Sequence, residues 1–189
     1  LGDVYKRQAK EADISGGTIK LDTGEIFVYG NADDGSKFNI SGGTFEMNNS
    51  NISTYPATSA EGNSQKGAAM TVSGGTFKMN KSSLGRENSG DLDISGGEFT
   101  LENSSAIFHD GETGDINISG GTISLKDSSI IRGGDYQSED GKPASGDINI
   151  TGGTINAGGS SAEIASVGNI KIANGAELNI ASGTTLFAK

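Results

Sequence analysis

Three aspartates, Asp91, Asp115 and Asp147, stand at matching places in three near-copies of one short segment, "GDLDIS", "GDINIS" and "GDINIT". Carboxylates repeated in this way repel one another unless water or a cation lies between them. With loop carbonyls nearby they form the oxygen-rich donor set of a hard cation, and Ca²⁺ is the ion they suit. The plainer alternative is three hydrated residues that start three strands. The calcium-binding nonapeptide, with its third glycine and following aspartate, is not present; the paired glycines of the repeat are followed by Thr-Ile or Thr-Phe, and in one copy by Glu98-Phe99.

The other reactive residue types are sparse. His109, in "FHDGETGD", has no matching nucleophile or ligand cluster in the sequence and reads as a surface residue. Asp33-Asp34, in "NADDG", reads as a turn. Arg132, near Asp135, is the nearest approach to the basic residue that lyase chemistry wants. A file of threonines (Thr18, Thr44, Thr76, Thr122, Thr154) could face ice, but Lys20, Glu46 and Lys78 two residues on break the flat surface. Threonine is in any case a good exposed strand residue. Tyrosine is more informative. Tyr29, Tyr55 and Tyr136 all fall, with His109, in one part of the repeat, where the chain leaves its third strand and returns to the first. The long loops 53–68 and 132–146 run from the same edge. Tyrosine beside Asn, Asp and Gln suits stacking on a sugar while bonding its hydroxyls. Loops on one side of a repeat array are frequent binding places. The candidate binding residues are therefore Tyr29, Tyr55, His109 and Tyr136.

These residues are positioned by a repeat. "ISGGT" or a close variant begins at Ile14, Ile40, Val72, Ile94, Ile118 and Ile150, and a worn copy begins at Ile172. The spacing varies from 22 residues (Val72 to Ile94) to 32 (Ile40 to Val72), which means fixed strands and elastic loops. Alignment on the glycines gives three strands per copy. The first alternates apolar residues, as in Leu92 and Ile94 or Ile116 and Ile118. The second follows the glycines, as in Phe77 and Met79 or Phe99 and Leu101. The third is expected five residues further on, beginning with Ile26, Ile52, Leu84, Ala106, Ile130 and Ala162 as its inward residues. Period two marks strands, and no helical period competes. The paired glycines sit at the first corner; Ser82-Ser83, Ser104-Ser105, Ser128-Ser129 and Ser160-Ser161 mark the second, where hydroxyls can bond backbone or their neighbours above and below.

No single copy can bury its own apolar residues, but a stack can. Equivalent strands pairing in parallel at about 4.8 Å pile like side chains into columns. The sequence thus predicts an all-β fold: a single-stranded, three-faced parallel β-helix, or β-solenoid, of about seven rungs and roughly 30 Å in height. A hairpin-built sandwich is the rival, weakened by the recurring corner and the scarcity of Asn-Gly turns.

Composition agrees. Glycine is 31 of 189 residues, the hydrophobic share is 32%, and there is no cysteine, which excludes disulfides and Cys-based zinc sites. The formal net charge of −10 offers no basic stripe for nucleic acid. No apolar run reaches the roughly 20 residues of a membrane span, so no membrane insertion is expected of this piece. "LGDVYKRQ", residues 1–8, reads as the translation of a sequencing-library transposon end and is set outside fold reasoning. Residues 9–189 are expected to be one β-helix repeat domain, a bacterial metagenomic fragment of a longer protein whose remaining coils stack on its ends.

The tandem "ISGGT-apolar-x-apolar" rungs resemble the pectin-lyase-like superfamily of right-handed parallel β-helices. More narrowly, they resemble bacterial secreted adhesins, autotransporter passengers and "carbohydrate-binding domain" surface proteins. The resemblance covers residues 12 to 188 and implies a right-handed coil at the cell surface or outside the cell. It implies an adhesive or structural module without catalysis or an obligate cofactor, meeting a glycan or a host or matrix surface through the loop edge. That superfamily also contains lyases and glycoside hydrolases, so a fragment of a polysaccharide-active enzyme is the alternative. The "NTD", "GDD", "GHG" and "RIK" signatures of its hydrolases do not occur here as a set.

Overall fold

In the computed structural model the described residues are 11–30, 36–55, 68–86, 90–110, 114–134 and 146–188. Residues 1–8, Asp33-Asp34, Asp135 and Tyr136 lie outside them. Seven rungs follow one another along the chain. The first is β1 (Glu11–Asp22) and β2 (Glu25–Tyr29), and the second is β3 (Lys37–Asn48) and β4 (Asn51–Tyr55). In these two, the first and second strands run on as one long strand through the glycine corner. The third rung is β5 (Ala69–Val72), β6 (Thr76–Asn80) and β7 (Ser83–Arg86); the fourth is β8 (Leu92–Ile94), β9 (Glu98–Glu102) and β10 (Ala106–His109). The fifth is β11 (Ile116–Ile118), β12 (Thr122–Leu125) and β13 (Ile130–Gly133); the sixth is β14 (Ile148–Ile150), β15 (Gly153–Ala157) and β16 (Glu163–Ser166). The seventh is β17 (Ile170–Ile172), β18 (Ala176–Ile180) and β19 (Thr185–Ala188).

Every ladder among these strands is parallel and joins a rung to the next. Third strands make one seven-stranded sheet; first and second strands are joined into a twelve-stranded sheet through the long strand β3. The chain is an all-β parallel solenoid, and the rest of each rung serves as the crossover that parallel pairing requires.

The columns are dry. Ile40, Val72, Ile94, Ile118 and Ile150 lie over one another and are at most 1% exposed. At the next position Phe45, Phe77 and Phe99 stack as parallel plates, with centroids 4.5 and 4.6 Å apart and rings tilted by 3° and 5°. The ladder spacing dictates this face-to-face overlap. Each buried Ile, Leu or Phe contributes about 1.5–3 kcal/mol by leaving water.

The two glycines of the first corner have different reasons. A Cβ on Gly96 would lie 2.4 Å from the Ser73 carbonyl oxygen of the rung before, so the first glycine is a matter of contact. Its neighbour Gly97 has φ +102°, so the second is a matter of backbone shape. The second corner is held by hydroxyls, as the sequence suggests. Ser82 Oγ accepts the Ser50 N–H at 3.1 Å and donates to the Asn80 carbonyl at 2.8 Å; Ser105 Oγ likewise accepts the Ser82 N–H at 3.1 Å.

The third strand corrects the expected register. Leu84 is aligned with Ile107, Ile107 with Ile131, and Ile131 with Ile164. The inward residues are these isoleucines, not Ala106 and Ile130, whereas Ala162, two residues before Ile164, is buried in the core as expected. The cause is the length of the second corner. Rungs one to three turn it with one left-handed residue, Thr23, Asn49 or Lys81. Rungs four and five use two, Asn103-Ser104 and Asp127-Ser128, which adds a residue before the strand begins.

Candidate functional site

In β2 the sequence "EIFVY" alternates, so Ile26 and Val28 point inward and Glu25, Phe27 and Tyr29 point out. In β4 the partner of Tyr29 is Tyr55, and the partner of Glu25 is Asn51. The strand spacing therefore gathers three rings on the outer third face. Phe27 meets Tyr29 edge-on at 5.3 Å and Tyr55 edge-on at 6.1 Å, while the two tyrosines lie 5.7 Å apart with a 34° tilt. Phe27 is 37% exposed, and both tyrosines are half-buried.

A carboxylate is fixed beside the rings. Tyr55 Oη donates to Glu25 Oε1 at 3.1 Å, and Asn51 Nδ2 donates to the same oxygen at 3.3 Å. Asn51 is steadied in turn by the Ser83 hydroxyl, which donates to its Oδ1 at 2.8 Å. The result is an amphipathic platform. It offers ring faces and edges for the C–H surface of a flat ligand, and Glu25 and the tyrosine hydroxyls for its polar rim. Tyr29 and Tyr55 are the candidate binding residues that the fold brings together. Phe27 escaped the sequence reading, although the alternation of "EIFVY" carries its outward position.

Further along the same face, Phe108 lies over Gly85, where a Cβ would be 2.6 Å from its Cδ1 atom. The Arg132 guanidinium carbon is 6.0 Å from the Phe108 centroid, and Arg132 Nη2 donates to Asp110 Oδ2. Arg132 is thus a clamp across two rungs.

His109 is not at the surface. It is fully buried and aligned with Arg86 and Gly133, in an inward column that continues from Thr54 to Ser166. Its Nε2 is 2.7 Å from the Gly90 carbonyl oxygen. Burial, the largest cause, pushes the imidazole below its ordinary pKa, and the Arg86 guanidinium acts in the same direction. Arg86 itself is 1% exposed, and burial lowers its pKa to about 10; Nη1 donates to the Asp91 carbonyl at 2.9 Å. Small residues make room for the two. A Cβ on Gly90 would be 2.5 Å from Arg86 Nη1, and one on Gly114 would be 2.8 Å from His109 Nε2. This polar column braces the edge from inside, and His109 as placed meets no ligand at the surface.

The aspartate column has a structural use. Asp91 Oδ1 accepts the Asp115 N–H at 3.0 Å, Asp115 Oδ1 the Asp147 N–H at 2.9 Å, and Asp147 Oδ1 the Asn169 N–H at 2.8 Å. Each carboxylate caps the first amide of the next rung. Lys171, first among the causes, then the Asn169 amide, hold the Asp147 carboxyl below its usual range. Ca²⁺ would have to compete with these bonds for the same oxygens. Among the described residues, no group of three or more His, Asp or Glu side chains is placed to hold a metal.

A groove of about 480 Å³ runs along the outer second face, over rungs one to four. Its walls are the file Lys20, Glu46, Lys78 and Thr100 and the file Asp22, Asn48, Asn80 and Glu102. Both walls are internally bonded. Lys20 pairs with Glu46 at 2.8 Å, Asn48 donates to Asp22 at 2.9 Å and Asn80 to Asn48 at 3.0 Å. Compared with family models, with curated proteins and with solved structures, the chain matches none.

Proposed function

We propose that this solenoid is a non-catalytic, adhesive module of a bacterial surface or secreted protein, working outside the cell and binding glycan through its aromatic edge. The observation that carries this reading is the exposed cluster of Phe27, Tyr29 and Tyr55 with Glu25 fixed beside it. Such a platform suits a pyranose: apolar C–H groups against rings, hydroxyls toward a carboxylate and phenols. The acidity, the regular rungs and the lack of cysteine fit an elongated extracellular rod.

Glycan-array screening followed by titration of the best ligand tests it. Phe27→Ala, Tyr29→Ala and Tyr55→Ala should each weaken binding about two- to tenfold, the range of one aromatic contact. Melting curves of the variants should stay near that of the parent, because the rings lie outside the core. Binding unchanged by all three substitutions would remove this edge as the ligand site. Release of reducing ends or unsaturated products from polyuronides would favour the enzymatic alternative instead.

A further inference from the structure

We infer that the aromatic edge selects a glycan that carries a free amine: its ligand is a deacetylated amino sugar, with the ammonium seated between the rings and Glu25. This rests on the glycan reading above and narrows it to one charge class.

The rings are arranged as a floor and a wall. Tyr55 stands four residues beyond Asn51, the partner of Glu25, which is about 13 Å along the strand. Its Oη is nonetheless 3.1 Å from Glu25 Oε1. The Tyr55 ring therefore lies back along the strand over Ser53, which faces outward beside Phe27 and yet is fully buried. Phe27 stands at 82° to that floor, and at 80° to Tyr29. A cation set in the angle has ring faces on two sides, within the roughly 6 Å at which a ring quadrupole attracts it. The angle opens sideways from the coil, so coils stacked on the first rung lengthen this face and do not lie over it.

Glu25 supplies the counter-charge. Tyr55 and Asn51, which hold its Oε1, are neutral donors, and among the described residues no Lys, Arg or His pairs with it. The carboxylate is thus fixed in place without being neutralised. A neutral sugar takes water from it and returns no charge, whereas an ammonium donates a charge-assisted hydrogen bond. The formal net charge of −10 draws cations to the surface and opposes anionic glycans. Among organic cations, a primary ammonium carries N–H groups for Glu25 and for the phenol oxygens, and a quaternary one carries none. The pyranose that bears the amine brings a C–H face for the Tyr55 ring.

Ligand-observed NMR titration of the full chain with two trisaccharides tests this, in buffer that keeps the amine protonated. One is fully N-acetylated chitotriose; the other is the same trimer deacetylated at its central residue, so that the pair differs by a single charge. The amine trimer should bind about tenfold more tightly, the scale of one cation–π contact joined to a carboxylate. Glu25→Gln, which can still accept from Tyr55 and Asn51, should bring the two trimers within about twofold of each other. Glu98→Gln removes one charge from an exposed position on another face and should leave the preference in place. A preference reduced equally by both substitutions is general attraction to an acidic protein and overturns the inference. Equal binding of the two trimers, lost in Tyr55→Ala, overturns it while the glycan reading stands. Binding of neither trimer also overturns it, and the glycan array then decides the broader reading on its own. Tetramethylammonium bound as tightly as the amine trimer would mean that the site takes a bare cation, and would overturn the assignment to a sugar.

Discussion

His109 shows how one residue can couple this fold to pH. In the unfolded chain its imidazole takes a proton near pH 6.5. In the fold, burial chiefly, and the Arg86 charge in addition, oppose that proton; the Gly90 carbonyl and the Asp110 carboxylate only partly offset them. The folded pKa is depressed, so His109 contributes fully above about pH 6.5 and its contribution falls as pH drops below that value. Asp147 and Glu46 are also depressed, by Lys171 and Lys20 respectively, but carboxylates surrender stability only below about pH 4.5. The interval between about pH 6.5 and 4.5 therefore belongs to the single histidine. Thermal melts should show the midpoint falling through that interval. His109→Gln, whose amide can still donate to Gly90, should flatten the fall. A midpoint constant from pH 7 to 5, or a slope that survives the substitution, contradicts the buried neutral ring.

Among elements, stacking separates inside from outside. Ile118 is 1% exposed between Ile94 and Ile150, while Thr122, four residues on in the next strand, faces solvent. Ile118→Asp puts a carboxylate into a column that offers it no partner, and should cost upward of about 4 kcal/mol or abolish folding. Thr122→Asp should stay within about 0.5 kcal/mol. Chemical denaturation of the two variants checks this, and comparable losses would refute the assigned facing. The same alternation explains what could be read in advance. First and second strands were legible because a glycine pair marks their corner in six rungs. The third strand was not, because in rungs one to five its corner takes left-handed turns at residues such as Thr23, Asn49, Lys81, Asn103 and Ser104, and no left-handed glycine there reports how many residues turn. A one-residue slip exchanges the faces of a strand. With Ala106 inward, His109 points to water; with Ile107 inward, it is buried. Tyr29 and Tyr55 were legible as neighbours because both follow one-residue corners, where the expected register holds.

The whole molecule behaves as a one-dimensional stack, in which each rung is stabilised only by the rungs it touches. Rung four is covered on both sides: Leu92, Ile94, Phe99 and Leu101 are fully buried. Rung seven is covered on one, and Ile172 and Ile180 remain about half exposed at 49% and 44%. Opening rung seven breaks one interface, whereas opening rung four breaks two and exposes the Phe77–Phe99 stack. Local unfolding should therefore proceed from the ends. Amide exchange in dilute solution reads this directly. Protection in β8 and β9 should exceed that in β17 and β18 by at least a hundredfold, roughly 2.7 kcal/mol in opening free energy. Uniform protection along the chain in dilute solution would mean that the rod unfolds as one unit, and nearest-neighbour stacking would then not describe its stability.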